Sequence, residues 1–463
     1  MARSLARKGP VAREVASTEP SLLEAAASLT SAVRSAAPNE AVRQNAWNMF
    51  LSRARAMRAD GESPDLSDLG VGLGTVPLIG LQPPEVQPLW ALTCGVGEAL
   101  EQTGLVQAET EGENLLLITG QAAHVGSRSR AGEHEILLGE LSSLRQQIPA
   151  GLAVALAGMA GVEGDPALAL QRAMCTAGSL MGVPDRMSVA KPLVVVHWVG
   201  DRYARSGFAA FWRSVVVLGR HAQATVIHLE GSRRGQAVPS IASCCSEIHL
   251  GEGARLTYVQ IKRWDRGVRD LGTEYLRLGA GSQLEWIKVV LAENQGWTRS
   301  HLRLEGENAE ANGHILVAAR NQGRWQHRAM QEHLARETRS DVRMHAAVAG
   351  ASDCRLGGLV RISAAAQGSD GYHRSEHLLL GRDAKGQSAP QLEIEADQIR
   401  CSHAATVTRL NDEQLFYLMS RGLPPKEAER LLVEGFAEKV IGRVPVRSVA
   451  AALRQQVRGL LVA

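Results

Sequence analysis

The chain has 463 residues, is 45% apolar and carries 51 basic against 48 acidic residues, a formal net charge of +3. That length buries a sizeable core and allows two or three structural units, and the near-balance of charge excludes a whole-molecule field that would draw the chain to nucleic acid or an anionic membrane. Forty-six glycines against five tyrosines and five phenylalanines favour a turn-rich β architecture, and no run of about 18 apolar residues predicts a spanning helix.

In chain order, Met1 to Arg13 is locally basic through Arg3, Arg7, Lys8 and Arg13. It reads as a disordered arm; a targeting peptide is the alternative, without the apolar run of a secretory signal. From about Ser21 to Met57, Leu22, Leu23, Ala26, Leu29, Val33, Ala46, Met49, Phe50 and Ala54 recur at three- and four-residue steps, which predicts helix. Asp60 to Pro83 holds Gly61, Pro64, Gly70, Gly72, Gly74, Pro77 and Gly80 and predicts a linker or extended loop. From Val86 to Leu170 the signals are mixed, with a short apolar run at Leu115–Ile118 and a helix expected around Glu133–Gln147. These readings divide the chain into an N-terminal helical segment (1–60), a linker and mixed unit (61–170), a core (171–406) and a C-terminal helical bundle (407–463).

The core contains a repeat. Leu218-Gly-Arg-His-Ala222, Leu250-Gly-Glu-Gly-Ala254, Leu278-Gly-Ala-Gly-Ser282 and Glu305-Gly-Glu-Asn-Ala309 each sit between two short alternating runs. Ser214–Leu218, Ser246–Leu250, Glu274–Leu278 and His301–Leu304 precede the turns, and Thr225–Leu229, Leu256–Ile261, Leu284–Val290 and His314–Ala318 follow them. Gly219, Gly251, Gly279 and Gly306 lie 32, 28 and 27 residues apart. Strand, tight turn and strand at such a period is the signature of a solenoid, whose units bury their apolar faces only by stacking. The glycines are expected to supply positive φ, and the small residue three positions later to sit where coils pack closely. The fold expected is mainly β, a β-helix core flanked by helical units; a row of antiparallel hairpins in a sandwich is the alternative that the same turns would serve.

Pro390–Thr406 is a last extended segment, and the chain is helical from Asn411 onward. Asn411 is a good N-cap with Gln414 in a capping-box position, and Gly422 is a C-terminal stop. Pro424 and Pro425 open a second helix whose apolar face is read as Ala428, Leu431, Leu432 and Phe436. A third, about Val446–Leu461, carries Val449, Ala450, Leu453, Val457 and Leu460.

Patterns of familiar catalysis are missing: no GxxxxGK[ST], HExxH, GxSxG or post-strand GxGxxG is present. Six cysteines (Cys94, Cys175, Cys244, Cys245, Cys354 and Cys401) form no CxxC pair, which fits reduced thiols in a cytosol. Cys401-Ser402-His403 stands out, because on a strand the thiol and the imidazole two residues on share a face. Both are ligand types that iron and iron-sulfur clusters accept, and two ligands cannot close a site without a second chain. The same spacing equally serves an inward stripe in which the cysteine is a small hydrophobe. Cys244 and Cys245 are neighbours that point to opposite faces and read as core. His327, His333, His345 and His373 lie among Arg324, Arg328, Arg336 and Arg339; a solvated basic face is the plain reading, a partner surface or iron relay the other.

Pro390-Gln-Leu-Glu-Ile-Glu-Ala-Asp-Gln-Ile-Arg-Cys-Ser-His-Ala-Ala-Thr406, followed by Asp412-Glu-Gln-Leu-Phe-Tyr-Leu-Met-Ser-Arg-Gly422, resembles the signature of the SufB/SufD family of iron-sulfur cluster assembly. His373–Leu380 with Asp383 and the LGxxA turns are also similar, so the resemblance covers about Leu170 to the end. CSH before the Phe-Tyr-Leu-x-Ser-Arg-Gly helix, with no cysteine between His373 and Pro390, is nearer the SufD branch than the SufB branch. The resemblance implies a right-handed parallel β-helix, a non-catalytic cytoplasmic scaffold, a SufB-like partner, and a SufC-like ATPase gripping the C-terminal helices around Phe416, Tyr417, Arg421, Gly422 and Phe436. It implies a transient iron-sulfur cluster at the subunit interface, using a SufB cysteine and the histidine that matches His403, beside which the CxH spacing sets Cys401, and no tightly bound cofactor, nucleic acid or membrane. Ala404 stands where the family usually has glycine, and the first 150 residues lack the family's entry segment. The rivals are a β-helix scaffold without cluster chemistry and a β-helix carbohydrate-active enzyme; only 4% aromatic residues and the missing export signal argue against the latter.

Overall fold

The structure, a computed structural model, describes segments between 115 and 141, residues 171, 175, 177–199, 209–232 and 239–461. The helix expected over Ser21–Met57 and the linker over Asp60–Pro83 lie outside these residues. The strands are β1 (Leu115–Thr119), β2 (Ala122–Val125), β3 (Arg130–Ala131), β4 (His134–Glu135), β5 (Leu137–Glu140), β6 (Ala177–Val183), β7 (Leu193–Val199), β8 (Ala209–Leu218), β9 (Gln223–Ser232), β10 (Ser240–Leu250) and β11 (Arg255–Arg263). They continue as β12 (Val268–Leu278), β13 (Gln283–Ala292), β14 (Gln295–Leu304), β15 (Glu310–Ala319), β16 (Arg324–His333), β17 (Arg339–Ala349), β18 (Asp353–Ile362), β19 (Asp370–Leu380), β20 (Lys385–Ile394) and β21 (Arg400–Arg409).

One sheet runs β2-β1-β7-β9-β11-β13-β15-β17-β19-β21 and the other β20-β18-β16-β14-β12-β10-β8-β6-β5. From β6 onward, consecutive strands therefore alternate between sheets, and each pairs in parallel with the strand two along the chain, as in β11 with β13 and β10 with β12. The result is a parallel β-solenoid of about seven coils, which decides against the antiparallel sandwich. Inward side chains such as Leu256, Tyr258, Leu284, Trp286, Ile315 and Val317 form one continuous core between the sheets.

The turn glycines work for a different reason from the one expected. Gly219, Gly251, Gly279 and Gly306 are not in the left-handed region; that conformation falls two residues later, at His221, Gly253, Gly281 and Asn308. The leading glycines are needed because the turn below is too close. A Cβ on Gly306 would lie 2.0 Å from the Ala280 backbone nitrogen, and one on Gly279 would lie 2.9 Å from the Leu250 carbonyl. Ala222, Ala254, Ser282 and Ala309 are fully buried under the next coil, as their size predicts.

The helix expected around Glu133–Gln147 is not formed over its first half. His134–Glu135 and Leu137–Glu140 are strand, and β5 pairs antiparallel with β6. An otherwise open edge of β6 supplies backbone partners that a local helical preference does not outweigh.

Three helices close the described chain: α1 (Asp412–Ser420), α2 (Pro425–Ile441) and α3 (Arg447–Leu461). Asn411 caps α1 by accepting from the Glu413 and Gln414 backbone N–H groups, and Gly422, at φ +94°, ends the turn. Helix α3 buries the five residues that its periodicity selects. Helix α2 buries Ala428, as read from its sequence, together with Val433, Ala437, Val440 and Ile441, whereas Leu432 and Phe436 are half-buried and Leu431 is exposed. The reason is that α2 and α3 do more than pack on each other: they cover the outer side of one sheet, against Val194, Ile227, Leu229, Val259, Ile287 and Val289.

Gly306→Ala should lower stability by about 1–3 kcal/mol through displaced coils. Gly435→Ala, inside α2 with open space around its Cβ position, should raise it by about 0.5–1 kcal/mol. Paired thermal unfolding of the two variants checks both signs.

Candidate functional site

Among the described residues, strand β21 is the last of its sheet and pairs on one side only, with β19. Its register sets Cys401 beside Gly371 and His403 beside His373. Because the β19 residues Gly371 and His373 face the interior, parity turns Cys401 and His403 to the same inward side. Cys401 is half-buried, its Sγ 3.6 Å from the Cβ position of Gly371, and it borders an apolar cluster of Val360, Ile362, Leu392 and Ile399. His403 is exposed. In the facing sheet, terminal β20 leaves Ile394 44% exposed. The two side chains therefore stand at the open mouth of the solenoid. Half-burial and then the Asp370 carboxylate push the Cys401 thiol up, so the free thiol keeps its proton until a cation or partner displaces it.

Behind this mouth lies a file of buried polar side chains. His373 Nδ1 meets Gln331 Nε2 at 3.2 Å, and His327 Nε2 meets the Ser300 hydroxyl at 2.8 Å. Ser300 donates to Glu274 at 2.6 Å, and Glu274 pairs with Lys288. Lys262 bridges Asp270 and Glu230, both at 3.0 Å. Gln260 donates to Glu230, His228 contacts the Tyr258 hydroxyl at 2.7 Å, and His197 contacts His228 at 2.8 Å. Despite burial, Glu230 is held below the usual carboxylate range by Lys262 and His228, and Lys262 above the usual lysine range by Asp270 and Glu230.

The histidines read as part of a basic face divide differently. His327, His333 and His373 are fully buried and inward, whereas Arg324, Arg328, Arg336 and Arg339 are exposed. His345 is buried on the other side of its sheet, with the Phe436 ring 5.5 Å away. Alternation explains the split, since positions two apart on β16 share the inward side whatever their polarity. The signal was present in His327-x-x-x-Gln331-x-His333, His228-x-Glu230 and Tyr258-x-Gln260-x-Lys262, which put polar groups at core parity. Cys244 and Cys245 are both buried, Cys244 in the inward core.

Of the helical residues singled out for a partner, Phe416 is 73% and Tyr417 56% exposed on α1, which buries nothing. Arg421 lies over the Tyr417 ring at 5.1 Å. Phe436 is instead half-buried between His345 and Lys439, in the contact between α2 and the sheet. Among the described residues no helix is long and apolar enough to cross a membrane.

Residues 202–436, just over half the chain, match the family model described as SUF system FeS cluster assembly, SufBD core domain. The iron-sulfur cluster assembly protein SufD of Bacillus subtilis is 27% identical over 290 residues, 61% of this chain and 63% of that protein. A SufBD family protein of Mycobacterium leprae is 31% identical over 209 residues, 45% of this chain and 24% of its own length. One from Synechocystis is 28% identical over 260 residues, 52% of this chain and 55% of its own. The chain thus spans about a quarter of the mycobacterial relative and under two thirds of the other two.

Burial lowers His333, His373 and His377 to about 4, against about 6.5 for a histidine in an unfolded chain. Between those values the unfolded chain binds protons that the folded chain refuses, so stability is complete above about pH 6.5 and falls as the pH drops toward 4. At pH 5 each site costs about 2 kcal/mol. Unfolding midpoints should fall from pH 7 to 5, and His333→Gln should flatten the fall by close to one proton's worth; a midpoint independent of pH would contradict buried neutral rings.

Proposed function

The chain belongs to the SufBD family, and from that premise we propose that it is a SufD-type scaffold subunit of an iron-sulfur cluster assembly machine, pairing with a SufB-like chain and a SufC-like ATPase. The observation that carries the reading is the placement of Cys401 and His403 on one face of a terminal strand whose outer edge has no partner among the described residues, at the open mouth of the solenoid. A thiolate and an imidazole are acceptable ligands for iron and for iron-sulfur clusters. Two of them leave a site incomplete, so further ligands come from the chain that covers the mouth. The cluster is cargo, assembled at the interface and passed on.

This chain's residues have limited tasks in that scheme. Cys401 supplies a thiolate once iron displaces its proton. His403, exposed at the mouth, supplies an imidazole nitrogen. The apolar rim of Leu392, Ile394 and Ile399 excludes water when a partner closes over it. Energy for opening comes from elsewhere, because the sequence carries no phosphate-binding GxxxxGK[ST] loop. Helix α1 offers the contact for the ATPase: Phe416, Tyr417 and Met419 are exposed together, the aromatic composition of an interface anchor. ATP-driven movement of that helix would be transmitted through α2 and α3 to the sheet they cover. The scaffold is expected in the cytoplasm, where thiols stay reduced.

Co-expression with SufB- and SufC-like partners, followed by iron and sulfide analysis of the purified complex, tests the site. His403→Ala and Cys401→Ser should each cut cluster content severalfold while the complex still assembles, and a His403→Ala complex with wild-type iron and sulfide would remove the ligand role. Phe416→Ala with Tyr417→Ala should weaken ATPase binding at least tenfold, about 1.4 kcal/mol or more, measured by titration calorimetry.

A further inference from the structure

We infer that His197, His228 and Cys244 form a binding site for one divalent transition-metal cation, inside the solenoid and remote from Cys401 and His403. The three residues come from β7, β9 and β10, so the site reaches from one sheet across the interior to the other. One donor atom of each lies within 4.8 Å of the other two, and all three residues are fully buried. Around a tetrahedral cation, with nitrogen at about 2.0 Å and sulfur at about 2.3 Å, ligand atoms stand roughly 3.3–3.6 Å apart. The 4.8 Å limit on the observed separations exceeds that spacing by roughly 1.2–1.5 Å, so small side-chain movements reach the arrangement. Two imidazoles and a thiolate select zinc-like or ferrous ions over magnesium or calcium.

The surroundings hold these ligands as a metal site requires. The His197 ring is stacked on Trp212 at 5.1 Å with 8° between planes, and Trp212 on Trp264 at 5.9 Å and 13°. His228 turns Nδ1 to the Tyr258 hydroxyl at 2.7 Å and Nε2 to His197 Nδ1 at 2.8 Å. A second-shell hydroxyl of this kind fixes ring orientation and tautomer. Among the described residues, His197 Nε2 has no hydrogen-bond partner. Hydrogen bonding within the pair therefore does not satisfy it.

Charge selects the valence. The adjoining file contains three carboxylates, Glu230, Asp270 and Glu274, and two ammonium groups, Lys262 and Lys288, all buried. Its formal charge is minus one. When a divalent cation binds, the Cys244 S–H bond breaks, the proton leaves to solvent and the metal–sulfur bond forms, so the site gains one positive charge. The file then becomes neutral, which a low-dielectric interior favours; a monovalent cation replacing the same proton would leave it charged.

Burial means that the cation enters as the chain folds. The full chain should therefore be expressed in medium supplemented with cobalt(II), purified, washed with chelator and analysed for metal and for a thiolate-to-cobalt charge-transfer band. The wild type and Cys401→Ser are expected to retain one cobalt per chain with the band. Cys244→Ser should lose the band and retain at least about tenfold less metal. A wild type that holds no cobalt, a band that survives Cys244→Ser, or loss of metal in Cys401→Ser would each overturn the assignment. Should Cys244→Ser not fold, X-ray absorption on the cobalt-loaded wild type decides: one sulfur and two imidazoles support the site, and any shell lacking sulfur or imidazole refutes it. The site stands apart from the cluster-assembly reading, which the Cys401→Ser arm keeps separate.

Discussion

Parallel ladders without a slip tie β8 through β20 in one sheet and β9 through β21 in the other, so a residue's column settles its surroundings before its chemistry does. Ala224, Leu256, Leu284, Ala311, Ser340, Gly371 and Cys401 stack in one column, and Val226, Tyr258, Trp286, Gly313, Val342, His373 and His403 in the next. The candidate ligands thus occupy core positions of a coil that has no successor among the described residues. Their exposure is a property of the ending, and a chain seated on that ending would return them to an interior.

The same stacking makes the buried charges possible. Withdrawing an ion from water costs several kcal/mol, and an apolar core of equal volume is often as stable; stability alone therefore does not account for Lys262, Lys288 and their carboxylates. What the geometry secures is that each charge has a partner from a neighbouring coil or the facing sheet: Lys262 with Glu230 and Asp270, Lys288 with Glu274, Ser300 with Glu274. Removing one member would strand the rest, so the file defends the register that builds it.

Much of this was legible because repetition is a strong signal. The LGxxA turns marked the coil corners, and the α3 stripe of Val449, Ala450, Leu453, Val457 and Leu460 marked its buried face without error. The turn glycines were legible by position and misread by cause, since closeness of coils is a tertiary fact that leaves no local trace. Leu431 misled for a related reason: α2 packs on both α3 and the sheet, and its buried side is set by both. His327, His333 and His373 were misassigned because polarity was weighed above parity; in a solenoid with a polar core, alternation is the better guide. The shared face of Cys401 and His403 was readable from spacing, but their place at the mouth depended on knowing which coil is last.

The two ends of the solenoid are built differently, and that difference bears on what covers them. At the far end β6 and β7 are flanked by β5 and β1, and β1 and β5 carry antiparallel pairings to β2 and β6. At the near end nothing among the described residues pairs with the outer edge of β21. The edge there runs Ala404-Ala405-Thr406-Val407-Thr408, without charge or proline, and Val407 is 47% exposed. Edge strands that must stay alone are blunted with lysine, proline or a bulge. Pro390 does this for β20, and β21 has no such device over those five residues. An unblunted, β-branched edge beside an open apolar rim is a surface shaped for another strand, so the segment that presents Cys401 and His403 also carries the backbone groups that would hold a partner in register over them.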